Sequence, residues 1–100
     1  MNDKIRVSID PDLEDLIPGF LGNRRQDVER IRTLLAGADF DEVRLIGHSM
    51  KGSGGGYGFD PITDCGARIE EAALLEDGLG VEAAVSALAD YLARVEPVFD

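Results

Sequence analysis

The chain has 100 residues, a length that suits one domain with one modest core and no second. Hydrophobic residues make up 44% and charged residues 30%, which fits an ordinary globular chain and argues against disorder. Its 20 acidic residues against 10 basic ones give a net charge of -10, the opposite of what a nucleic-acid binder needs, so that partner class is excluded.

Cys65 is the only cysteine, which leaves no disulfide framework and no cysteine-based metal site. Met1-Asn2-Asp3-Lys4 leads into no long apolar run, and no stretch approaches the roughly 20 apolar residues of a membrane span. The expectation is a cytoplasmic, reducing location without a signal peptide or a membrane partner.

In chain order, Ile5, Val7 and Ile9 alternate with Arg6 and Ser8, the pattern of a short extended arm over residues 1–10, too short to stand as a sheet by itself. Residues 11–98 are expected to form a helical bundle. Asp10-Pro11 reads as a helix start, with Asp as N-cap and Pro at the first helical position. Leu13, Leu16, Ile17, Phe20, Leu21, Val28, Ile31, Leu34 and Leu35 then form one apolar stripe, interrupted only by Arg24. Pro18-Gly19 lies inside it and should kink or split the helix into a short piece and a long one reaching about Ala36, with Gly37 as C-cap.

Asp39-Phe40-Asp41-Glu42 resembles a capping box, and Phe40, Val43, Ile46 or Gly47, Met50, Gly54 and Tyr57 supply the next stripe. Five of the seven residues from Gly52 to Gly58 are glycine, which costs helix stability, yet the apolar spacing carries the expected helix to about Tyr57. Asp60-Pro61 repeats the start signal, now with Asp60 as N-cap, and the inner face Ile62, Cys65, Ile69, Ala72, Ala73 and Leu75 runs to about Glu76. Cys65 is thus expected to be a buried thiol. Gly78-Leu79-Gly80 reads as a turn. Val81, Ala84, Val85, Leu88, Tyr91, Leu92 and Val95 form the last stripe, ended by Pro97. The result is an all-α, antiparallel up-and-down four-helix bundle with a short N-terminal extension.

The chemistry concentrates in His48-Ser49-Met50-Lys51-Gly52-Ser53, around the only histidine of the chain. On the helical wheel His48 falls roughly 140° from the centre of the apolar stripe and so faces solvent. Arg44, Lys51 and Gly55 flank it on one side, and Asp41, Leu45 and Gly52 on the other. One histidine without a cysteine cluster is a poor metal site. The glycine run matches neither the phosphate loop G-x-x-x-x-G-K-[ST] nor G-x-G-x-x-G. Ser49 points about 100° away from His48 and has no third group to complete a nucleophilic triad.

One reading uses every feature. A neutral imidazole nitrogen is a competent nucleophile for a phosphoryl group, and that transfer needs mainly in-line positioning and charge stabilisation. Lys51, one turn on, supplies a flexible cation, and Gly52 leaves the adjacent surface bare for a partner's active site. A non-catalytic helical interaction module, with His48 incidental, is the alternative.

The stretch from His48 through Lys51-Gly52-Ser53, followed by apolar Tyr57 and Gly58, resembles the H-x-x-K-G-S motif of histidine-containing phosphotransfer domains. The likeness covers nearly the whole chain. It implies an antiparallel four-helix bundle with an exposed phospho-acceptor histidine. By position, His48 is then the acceptor, Lys51 the phosphate-stabilising cation and Gly52 the clearance residue; around them, the flanking Arg44, Leu45 and Gly55, together with Glu70, are the candidates for a docking surface. The implied partners are response-regulator receiver domains, a hybrid sensor histidine kinase, or both. The chain should act as a monomer with no cofactor of its own and no ATP-dependent autokinase activity, the magnesium belonging to the partner receiver. Some members carry a glutamine where this chain has Glu70. A carboxylate there can orient the imidazole but would repel a phosphoryl group.

Overall fold

The computed structural model describes residues 3–100, so Met1 and Asn2 of the expected arm lie outside the described residues. Asp10 and Pro11 do open a helical turn, but a short one: Asp10 Oδ1 accepts from the Asp12 amide at 2.9 Å, and a 3-10 turn spans Pro11–Leu13. Helix α1 follows at Ile17–Ala36, with Pro18 as its second residue. A proline there lacks only an amide that has no helical partner in any case, so it begins a helix without kinking one. Leu16, expected on the apolar stripe, falls in the gap and is exposed. Gly37 caps α1 as expected, while the left-handed residue that reverses the chain is the next one, Ala38, at φ 57°.

Helix α2, Phe40–Ser53, starts where Asp39 Oδ1 accepts from the Glu42 amide at 3.2 Å. It ends at Ser53, short of the expected Tyr57, for a visible reason. The Thr63 hydroxyl donates to the Lys51 carbonyl at 3.1 Å and accepts from the Gly55 amide at 2.7 Å, so it stands between two groups that would otherwise pair in the helical ladder. The chain tightens into a 3-10 turn at Gly55–Tyr57, and Gly58 closes it at φ 92°. Phe20 of α1 stacks on Tyr57 and Phe59, with centroids 4.4 and 5.8 Å apart, which pins this glycine-rich segment to the bundle.

Helix α3 spans Asp60–Leu74 with Phe59 as its N-cap, so Asp60 is the first helical residue and not the cap, and Pro61 the second. The helix stops short of Glu76, which sits at φ 52°. Leu75, expected on the inner face, is therefore past the helix and 73% exposed. Gly78-Leu79-Gly80 is not a turn but the start of α4, Gly78–Arg94: Asp77 Oδ1 accepts from the Gly80 amide at 2.9 Å and caps it. The stripe Val81, Ala84, Val85, Leu88, Tyr91 and Leu92 is buried as its spacing predicts, and so is Cys65.

Val95 breaks from that stripe. It is extended, at φ -66° and ψ 134°, and begins strand β2, Val95–Phe99. This strand pairs in parallel with the N-terminal arm, now β1, Ile5–Ile9, in register from Ile5↔Val95 to Ile9↔Phe99. The helical part accordingly ends at Arg94, short of residue 98, because Pro97 cannot continue a helix and biases Glu96 toward extended backbone. Two strands alone are marginal. Here Ile9 is 2% exposed, and Ile5, Val7, Val95 and Phe99 pack on the core, so the pair is an outgrowth of the bundle. Helix α1 packs on α2 and α4, and α3 on the same two, closing a four-helix bundle around one apolar core.

Candidate functional site

The Asp39 cap sets the phase of α2. With that phase, Val43, Ile46, Gly47 and Met50 turn inward and are buried, and His48 turns outward. The His48 side chain is 65% exposed. Lys51 stands beside it, and Leu45 and Ser49 are also exposed. Arg44 lies one turn before His48 on α2, whereas Gly55, expected on the same helix side, lies past the end of α2 in the 3-10 turn. Gly52 faces open solvent: apart from its chain neighbours and the backbone of its own helix, a Cβ there would meet nothing within 4 Å.

Glu70 of α3 completes the group. Its Oε2 lies 2.7 Å from His48 Nδ1 and its Oε1 lies 2.7 Å from Lys51 Nζ, so one carboxylate engages both. The hydrogen bond from Lys51, and after it the bond with His48, holds the Glu70 carboxyl below the usual carboxylate range. An ionised carboxylate can only accept, so Nδ1 donates to it, and in the neutral ring Nε2 then presents its lone pair away from Glu70. The ring is thereby fixed in tautomer and direction.

Glycines on both helices make this contact possible. A Cβ on Gly66 of α3 would lie 2.5 Å from the Lys51 backbone nitrogen, and one on Gly47 would lie 2.8 Å from the Glu70 nitrogen. Gly54 is equally tight, 2.6 Å from the Thr63 nitrogen. Bare backbone at these three positions lets α2 and α3 approach closely enough for a glutamate on one to reach a histidine on the other. Gly66 and Thr63 did not stand out in the sequence as parts of the site. The available signal was Gly66 within an otherwise apolar inner face, and Gly47 and Gly54 seven residues apart on another.

Arg24, the one polar intruder on the α1 stripe, tucks its guanidinium over the Phe20 ring at 5.1 Å and donates to Ser53 Oγ at 3.1 Å. It joins α1 to the end of α2. Among the described residues, no group of three or more His, Cys, Asp or Glu is arranged to hold a metal ion.

A comparison with protein-family models matches the Hpt domain over residues 15–97, which takes in all four helices and the motif. The chain belongs to the Hpt domain family. Comparison with curated proteins and with solved structures returned no match. Membership implies histidine phosphotransfer in phosphorelays, and Hpt domains generally work with receiver domains and histidine kinases. In this Hpt domain no described helix is long and apolar enough to cross a membrane.

Proposed function

We propose that this Hpt domain accepts a phosphoryl group on His48 Nε2 from the phospho-aspartate of a receiver domain, or of a hybrid kinase, and returns it to another receiver aspartate. The observation that carries the reading is the 2.7 Å contact between His48 Nδ1 and Glu70 Oε2 at an exposed helix position. Nε2 attacks phosphorus in line; the N–P bond forms as the P–O bond to the aspartate breaks, and the aspartate leaves as carboxylate with the bonding pair. The Nδ1 proton stays on the ring, where Glu70 stabilises the positive charge that develops.

Lys51 supports the reading in the same terms. Its ammonium has three donors and gives one to Glu70 Oε1, leaving others for phosphoryl oxygens. It also offsets the charge of Glu70, and Glu70 sits at the Nδ1 edge of the ring, opposite the reacting nitrogen. The repulsion expected of a carboxylate in this position is thereby reduced. Gly52 gives the clearance that a receiver needs to bring its aspartate within bonding distance. The chain contributes no cofactor, and magnesium is the receiver's.

Incubation with a phosphorylated receiver tests the proposal. Label should appear on His48, be acid-labile, and be absent from His48→Gln. Stable label on that variant would overturn the assignment and leave the domain a helical interaction module. Lys51→Ala should fold normally, since the side chain is exposed, and transfer about tenfold more slowly. An unchanged rate removes Lys51 from the mechanism.

A further inference from the structure

One turn along the α2–α3 groove from His48 lies a cavity of about 220 Å³. Arg44, four residues before His48 on α2, and Leu74, four residues after Glu70 on α3, line its near side. Phe40, Asp39, Asp41 and Glu76 line the rest. Its position is continuous with the transfer site, because a docked domain covers on the order of 800 Å² and a helical turn rises only about 5.4 Å. Any receiver that reaches His48 with its aspartate can thus reach the cavity with a neighbouring side chain.

The chemistry of the cavity favours one kind of side chain. Three carboxylates face one guanidinium. Asp39 is engaged in capping α2, but Asp41 and Glu76 are both exposed, and neither forms an ion pair or side-chain hydrogen bond among the described residues. Beside them, Leu74 is 63% exposed at the end of α3, a large apolar surface that the fold leaves uncovered. The volume is below the roughly 300–1,000 Å³ of small-molecule sites. It suits a single chain-like group, apolar along its stem and cationic at its tip, which is a lysine or arginine.

We infer that this cavity receives a basic side chain of the receiver, its stem on Leu74 and its head at Asp41 and Glu76, and so selects which receiver docks. The inference rests on the phosphotransfer reading above. A receiver with an acidic or bulky apolar residue at the matching place is disfavoured by repulsion or by stranded charge.

Two donors separate docking from chemistry. Phosphoramidate, a small phosphoryl donor, tests His48 without a docked protein. A receiver loaded with acetyl phosphate, taken as the one that labels the wild-type chain fastest, tests both. The variants are Asp41→Asn with Glu76→Gln, and Leu74→Arg, with Leu75→Ala, whose side chain faces the α3–α4 side, as control. Circular dichroism verifies folding. For the first two, KM for the receiver should rise about tenfold with kcat unchanged, while phosphoramidate labelling stays at the wild-type rate. Added salt should raise KM for wild type and Leu75→Ala but hardly for the double variant. A receiver KM within twofold of wild type in both variants overturns the inference. So does a parallel loss of phosphoramidate labelling, which would mean that the transfer site itself was disturbed. Failure of phosphoramidate to label wild-type His48 would instead overturn the phosphotransfer reading, and this inference with it.

Discussion

Glu70 has two bonds to make and two partners within reach, His48 Nδ1 and Lys51 Nζ, each at 2.7 Å. Because these bonds lower its carboxyl pKa on folding, they contribute stability that is complete above the ordinary carboxylate range and is lost as pH falls through the lowered folded value. Glu70→Gln cannot titrate there, although its amide oxygen can still accept from Nδ1. Thermal unfolding measured from pH 7 down to about pH 3 should therefore fall less steeply for Glu70→Gln than for the native chain. Parallel pH profiles would show that the carboxylate gains nothing from its two partners in the folded state. The imidazole should keep its Nδ1–H tautomer in Glu70→Gln and lose that preference in Glu70→Ala, a difference that nitrogen chemical shifts report directly.

At the scale of the element, the glycines of α2 and α3 divide by what lies around them. Gly52 has open space on every side and is not among the residues with positive φ; Gly58 is the only described glycine in that region. Gly52→Ala should therefore stabilise the fold by about 0.5–1 kcal/mol, and Gly52→Gln should remain folded while transferring slowly, since its side chain covers the surface proposed for receiver docking. Gly66 is the converse. A Cβ there meets backbone of α2 at 2.5 Å, and backbone cannot turn aside as a side chain can. Gly66→Ala should destabilise by about 1–3 kcal/mol and move Glu70 away from His48. Thermal melts of the three variants decide the matter: equal stability of Gly66→Ala and wild type would mean that the interhelical approach is looser than described.

At the scale of the whole molecule, the first and last described strands close on one another. The β1–β2 pair joins the segment before α1 to the segment after α4, and its anchor is Ile9, 2% exposed, against which a Cβ on Gly58 would lie at 2.9 Å. Ile9→Ala should cost about 2–5 kcal/mol, the range for emptying a buried aliphatic site. Transfer per folded molecule should persist, because Ile9 has no part in the His48–Glu70–Lys51 network. Chemical denaturation paired with a transfer assay reads both quantities, and a loss of transfer larger than the loss of folded protein would tie the strand pair to the site.

The sequence by itself determined the helical architecture and the identity of the exposed histidine. Apolar residues recurring at helical spacing leave one outward direction for each side chain, and the wheel that buries Val43, Ile46 and Met50 exposes His48. Lys51 and Gly52 were legible for the same reason, being neighbours along one helix. Tertiary structure decided what spacing cannot encode. Leu75 left the inner face because α3 ended at Leu74, two residues short of the expected end, and Asp77 converted an apparent glycine turn into a helix start. Thr63, eight residues beyond Gly55, cut α2 short by competing for its hydrogen bonds. Val95 followed the helical pattern of α4 yet went to a strand, since its partner lies some ninety residues away in β1. Glu70 was visible only as a position matching a glutamine in other members. Its double contact depends on how closely two backbones approach, and that distance is set by glycines on separate helices meeting face to face.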